Sequence, residues 1–181
     1  YSKSEDYYTN GLIGYMFSDY FQSKFYIDYY SYKGWGKGVE AIYAVPGQVD
    51  GTVYGYLINE NDTHQKRWNA RMDHWQNLTH NWIAQIDSNI SSDEAFNDKY
   101  TNDWTKIERN VKSSVAFTKT APQSTTRLYF SRYDVFESSV NKYILTDLTA
   151  PSASYETTKI RIKELPLYYQ FGIRSERTWT K

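Results

Sequence analysis

The spacing of apolar residues across Asp62–Val111 constrains this chain more than any other feature. Trp68, Met72, Trp75, Leu78, Trp82 and Ile86 follow one another at steps of four, three, three, four and four. At 3.6 residues per turn such steps share one helical face. Arg67, Asn69, Asp73, Asn77, Thr79 and His80 fall opposite. Asp62 with Gln65 has the form of a capping box. Asp87-Ser88-Asn89-Ile90-Ser91 reads as a turn. Ser91 and Glu94 then open a second helix, striped by Phe96, Tyr100, Trp104, Ile107 and Val111. The stretch predicts an antiparallel helical hairpin, its tryptophans buried as core.

The flanks read as strands. Residues 1–10 are polar and loosely held. Gly11–Phe17 is a short apolar run, and Phe25, Ile27 and Tyr29 alternate with Tyr26, Asp28 and Tyr30. Lys33-Gly34-Trp35-Gly36-Lys37-Gly38 reads as a flexible loop whose glycine spacing fits neither nucleotide fingerprint. Val39–Val45 and Thr52–Ile58 form a hairpin through Pro46-Gly47 and Asp50-Gly51. Beyond the helices, Ser113–Thr118, Arg127–Tyr133 and Lys159–Leu165 are strand-like, Val135–Leu148 is ambiguous, and Ala150–Ser154 reads as a loop. The expected fold is α+β in one domain over 1–181. An antiparallel sheet from residues 11–58 and 113–178 carries the helical pair, 62–111, on one face.

Composition narrows the function. The chain has 181 residues, 21 basic and 21 acidic, so its net charge of +0 offers no footprint for nucleic acid. It has no cysteine, which excludes disulfides, thiol catalysis and cysteine-bound metal. No run of ~18 apolar residues marks a membrane-spanning helix, and no membrane span is expected. The opening at Tyr1, without a signal-peptide pattern, fits a processed chain. Sequons begin at Asn61, Asn77 and Asn89 and mark candidate glycosylation sites. Together with the Tyr/Asn/Thr/Ser-rich composition they indicate an extracellular or cell-surface glycoprotein.

No catalytic or metal-ligating constellation stands out, and no cofactor is expected. His74 and His80 would lie on different helical faces, and His64 in the first turn. Acids that could pair for glycoside hydrolysis are Asp28, Glu40, Asp50, Glu60, Asp134 and Glu137. The distinctive excess is aromatic: 19 Tyr, 8 Phe and 6 Trp. Tyrosine gives rigid amphipathic contact area at low entropy cost. The leading reading is therefore a non-catalytic secreted binding or structural protein. It acts by surface recognition or self-assembly, with a glycan, another protein or its own copies as partner, and Trp35, Tyr30 and Tyr32 as binding residues. One alternative is a polysaccharide hydrolase using two carboxylates. Another is a small apolar-ligand carrier with the helical pair lidding a sheet cavity.

Overall fold

The computed structural model describes residues 7–78, 81–92, 96, 110–137, 139–140, 142–162 and 165–180. Twelve strands follow in order: β1 (Tyr8–Ser18), β2 (Phe21–Tyr30), β3 (Gly34–Val45), β4 (Val49–Asn59), β5 (Lys66–Asn77), β6 (Trp82–Ser91), β7 (Asn110–Ala121), β8 (Ser124–Glu137), β9 (Lys142–Thr157), β10 (Ile160–Arg161), β11 (Tyr168–Tyr169) and β12 (Gly172–Thr180). Ten of them form one antiparallel sheet in the order β1-β2-β3-β4-β5-β6-β7-β8-β9-β12, and β10 pairs with β11 beside it. From β1 to β9 each strand pairs with the next in sequence, as in an up-and-down meander, and β12 closes the row against β9.

Among the described residues the expected helical pair is absent, and the fold is β rather than α+β. Residues 66–77 and 82–91 are β5 and β6, paired from Asn69↔Ser91 to Asn77↔Ile83. The spacing misled because a step of four keeps a face in both structures: two strand periods make four residues, and one helical turn makes 3.6. Only a step of three separates the two. At Met72 to Trp75 the side chain changes face, and from Trp75 to Leu78 the chain leaves the strand. The supposed turn Asp87–Ser91 lies inside β6. The proposed cap Asp62 sits in a loop, where its Oδ1 accepts from the Thr63 amide at 2.9 Å. Of the second stripe, Val111 lies in β7 and Phe96 is buried. Tyr100, Trp104 and Ile107, like Glu94 and His80, lie outside the described residues.

Two further readings change. The glycine-rich stretch after Lys33 is the start of β3, not a loop. Gly34, Gly36 and Gly38 share one face. Tyr56 from β4 occupies the space at Gly36 and Gly38, where a Cβ on Gly36 would meet its hydroxyl oxygen at 2.0 Å, and a Cβ on Gly34 would meet Asn61 Nδ2 at 2.8 Å. This packing needs glycine and could not be read from the chain without knowing the register. Ala150–Ser154 lies within β9. The ladder to β8 shifts between Tyr129 and Ser131 opposite this segment, so Pro151 falls where pairing is already broken, the position a strand allows it.

Candidate functional site

Cross-strand pairing assigns every side chain to one of two faces, because directly opposed residues point the same way. One face collects Phe25 and Ile27 from β2, Trp35 and Val39 from β3, Val53 and Leu57 from β4, and Trp68 and Met72 from β5. It continues through Ile86 and Ile90 of β6, Val115 and Phe117 of β7, and Leu128 of β8. This apolar face is bare: Ile27 is 51% exposed and Trp35 65%.

The opposite face carries Lys24, Tyr26, Asp28 and Tyr30, then Glu40, then Thr52, Tyr54 and Tyr56, then Arg67, Asn69, Arg71 and Asp73. Much of this polar face is sheltered. Tyr56 is 6% exposed and Ile58 0%, and they pack with Phe96 against Tyr30 and Tyr54. Its polar groups pair with each other. Tyr56 donates to Asp28 at 2.7 Å, Tyr26 to Glu40 at 2.5 Å, and Lys24 Nζ lies 3.1 Å from Glu40. Asn69 Nδ2 donates to Asn89 Oδ1 at 3.1 Å.

At the end where β3, β4 and β5 meet their loops, a buried ion cluster closes the polar face. Glu60, with its side chain fully buried, lies 2.9 Å from both Lys33 Nζ and Arg67 Nε, and Asp62 reaches Lys33 at 3.5 Å. Thr63 donates to Glu60 as well. Four of the six carboxylates singled out for hydrolysis are thus engaged: Asp28 by Tyr56, Glu40 by Lys24 and Tyr26, Glu60 by two cations, and Asp134 by Arg132 at 2.8 Å; Glu137 accepts from Ser139, and Asp50 is exposed.

The apolar face is graded along its height. At the loop-rich end, Tyr29 and Trp35 stack with ring centroids 4.8 Å apart, beside Trp68. At the other end stand Tyr43, whose hydroxyl lies 2.6 Å from His74 Nδ1, and Trp82, with Lys119 Nζ 5.7 Å from its ring centroid. Between them the face is mostly aliphatic residues and phenylalanine, with Lys37 near the Trp35 end and Ser88 and Ser113 paired farther along. Trp35 and Tyr43 are eight residues apart on β3, about 26 Å along the strand. Tilted by ~40°, that projects to about 20 Å, close to the ~25 Å apolar band between the aromatic girdles of membrane β-barrels.

A groove of about 480 Å³ runs across this face, lined by Val53, Met72, Ile86, Ile90, Val115 and Phe130. Ser88 and Ser113 also line it, with their hydroxyls 3.0 Å apart. That pairing lets two polar side chains sit in an apolar wall. The groove is open, and no helical lid covers it among the described residues.

The predicted binding residues separate. Trp35 is on the apolar face, Tyr30 on the polar face stacked on Tyr8 at 4.8 Å, and Tyr32 is an exposed residue of the β2–β3 turn. They do not form one platform. Among the sequons, Asn61 is in the β4–β5 loop, Asn77 ends β5, and Asn89 is on the polar face of β6. Sequence reasoning missed the groove entirely. Its signal was the alternation Trp68-Ala70-Met72 and Ala84-Ile86-Ser88-Ile90, hidden beneath the helical spacing.

A meander whose polar face is sheltered and whose apolar face is bare has the inside-out arrangement of β-sheet proteins that face lipid. A sequence model described as LptD protein matches residues 10–164, and the chain belongs to that family. The family is associated with the outer membrane and cell envelope, in agreement, at that coarse level, with a non-catalytic protein of the cell surface. No curated protein matches the chain. No helix among the described residues is long and apolar enough to cross a membrane; strands are a separate matter.

Proposed function

We propose that this chain is part of a β-sheet wall set in the outer membrane and serves, without catalysis, in the passage of lipopolysaccharide to the surface. Its apolar face meets acyl chains, and its polar face looks into an aqueous interior. The observation that carries this reading is the inversion of burial between the two faces. Soluble monomers rarely expose apolar patches above a few hundred Å², and here the bare face continues across β2 to β8. Backbone groups within lipid must be paired, which a meander of paired strands achieves except at its edges. β1 and β12 each have one sheet neighbour among the described residues. In a membrane both edges would take further strands, from the same protein or another chain.

The recognition expected from the aromatic excess divides between the faces. Trp35 and Tyr32 belong to the interfacial rim, where amphipathic rings meet headgroups. Tyr26, Tyr30 and Tyr54 line the polar face, where hydroxyl-bearing rings suit the saccharide part of a glycolipid.

Because the chain has no cysteine, single cysteines report unambiguously. A polarity-sensitive probe would be attached in turn at Thr52→Cys, Val53→Cys, Tyr54→Cys and Leu57→Cys in protein reconstituted into vesicles. A nitroxide on the lipid chain should quench the probes at 53 and 57 and spare those at 52 and 54. Quenching without alternation, or none at all, rejects the wall.

A further inference from the structure

The two ends of the sheet differ in their connections. At one end β1 and β2, β3 and β4, β5 and β6, and β7 and β8 are joined over two to four residues; the exception is the connection from β9 to β12, which contains the β10–β11 hairpin. This connection is tied to the sheet. The Thr158 amide donates to the Gln123 carbonyl at 3.0 Å, and the Thr157 amide to the Phe171 carbonyl at 2.8 Å. The Phe171 amide donates back to Thr157 Oγ1 at 2.8 Å. The hairpin therefore projects in a defined direction.

Beside Lys159, Arg161, Lys163 and Glu164, its sequence is rich in large apolar and aromatic residues. Ile162, Leu165, Leu167, Tyr168, Tyr169 and Phe171 are all exposed. The tip is closed by the Leu165 amide donating to the Ile162 carbonyl at 3.0 Å, and Pro166 follows. Lys159 and Arg161, both exposed, stand at the base; Arg161 Nε donates to the Leu165 carbonyl at 3.1 Å. The nearby acid Glu156 pairs with Thr125 and points to the polar side. On the other side, Tyr155 and Ile173 are directly opposed and extend the apolar face from Leu128 and Ala153 toward the hairpin, with Thr126 and Lys119 beside them.

We infer that this hairpin is an interfacial anchor, which sets Ile162, Leu165 and Leu167 among the headgroups of an anionic phospholipid leaflet at the short-turn end of the sheet. Exposed apolar residues on both sides of the turn, in a segment that holds Lys159, Arg161 and Lys163 against one acid, Glu164, match the headgroup boundary, where apolar groups bury by ~5–10 Å and basic residues face anionic phosphate. Continuity with the apolar face places the tip beside the bilayer rather than away from it. The family match ends at residue 164, so Leu165 and Leu167 are features of this chain beyond that match. The inference rests on the lipid-facing reading of the sheet.

The test places a polarity-sensitive probe at Leu167→Cys, and separately at Val53→Cys, in the full chain reconstituted into vesicles of phosphatidylglycerol or phosphatidylcholine with a nitroxide at shallow depth or on the lipid chain. The anchor requires the 167 probe to be quenched by the shallow nitroxide in phosphatidylglycerol. Lys159→Glu, which leaves the Arg161–Leu165 bond in place, should lower the inserted fraction by at least about fivefold, the effect of one basic residue at an anionic surface. A 167 probe that stays in water while the 53 probe is quenched overturns the anchor, leaves the wall standing and directs the hairpin to a protein partner. Water exposure at both positions overturns the wall and the anchor with it. Equal quenching in both lipids, unmoved by Lys159→Glu, overturns the assignment to anionic lipid.

Discussion

The ring of Tyr56 fills the place where Gly36 has no side chain. A Cβ on Gly36 would stand 2.0 Å from the tyrosine hydroxyl oxygen and 2.7 Å from Cζ, and one on Gly38 would stand 2.7 Å from Cδ2. The same hydroxyl donates to Asp28 at 2.7 Å, and the ring meets Phe96 edge-on with centroids 5.7 Å apart. One tyrosine thus ties β2, β3 and β4 to the buried cluster on the polar face.

Gly36→Ala must therefore move Tyr56 and loosen its bond to Asp28. Overpacking of this kind costs about 1–3 kcal/mol. Gly55→Ala, on the opposite face with nothing within 4 Å of the added Cβ, is the matched control. Denaturant unfolding of both variants in the same lipid or detergent should separate them, and equal midpoints would reject the packing role.

Glu60→Gln removes a fully buried charge from between Lys33 and Arg67. Leaving buried cations without their anion costs about 3–5 kcal/mol. Glu40→Gln breaks the more accessible pair to Lys24, with side chains 29% and 19% exposed, and the ion pair itself should count for about 1 kcal/mol or less. Unfolding midpoints give both values, and a mild Glu60→Gln would show that the cluster is dispensable.

Val115→Arg puts a charge in the middle of the apolar face. In a bilayer this should cost about 2–4 kcal/mol, the range for a lipid-facing cation at the midplane. Thr118→Arg, on the polar face of the same strand, should be close to neutral. Refolding yield into vesicles, followed against urea, measures the difference. Equal yields would mean that the bare face does not meet lipid.

Trp35→Ala removes an exposed ring stacked on Tyr29 at the rim. If Trp35 sits at the headgroup level, the loss should reduce the affinity of the refolded protein for vesicles and leave secondary structure unchanged by circular dichroism. Tyr30→Ala, on the other face, should leave vesicle affinity unchanged and instead weaken packing around Tyr56. A shared effect of the two substitutions on partner binding would restore the single platform that the sequence suggested.

Much of the sheet was legible in the chain. Val39–Val45 and Thr52–Ile58 lie within β3 and β4, joined through Pro46-Gly47, and Arg127–Tyr133 lies within β8. These segments alternate without a competing period. Residues 68–86 failed because their large apolar side chains recur mainly at steps of four, which a strand pair and a helix share. Trp75, which the helix reading placed with Trp68 and Met72, points to the polar face. Of Lys159–Leu165, read as strand-like, the described residues contribute Ile160–Arg161 to a two-residue ladder with Tyr168-Tyr169.

The sequence by itself determined an aromatic-rich, net-neutral chain with no cysteine, alternating runs and turn residues between several of them. Those features are local, written in residue type and in spacing over a few positions. Only the tertiary structure decided that the alternation turns its apolar side outward. A period of two divides a strand into two faces but does not say which of them is covered. That depends on what packs across the sheet, and here Phe96 and the ion cluster around Glu60 shelter the polar face while the described residues leave the apolar one open.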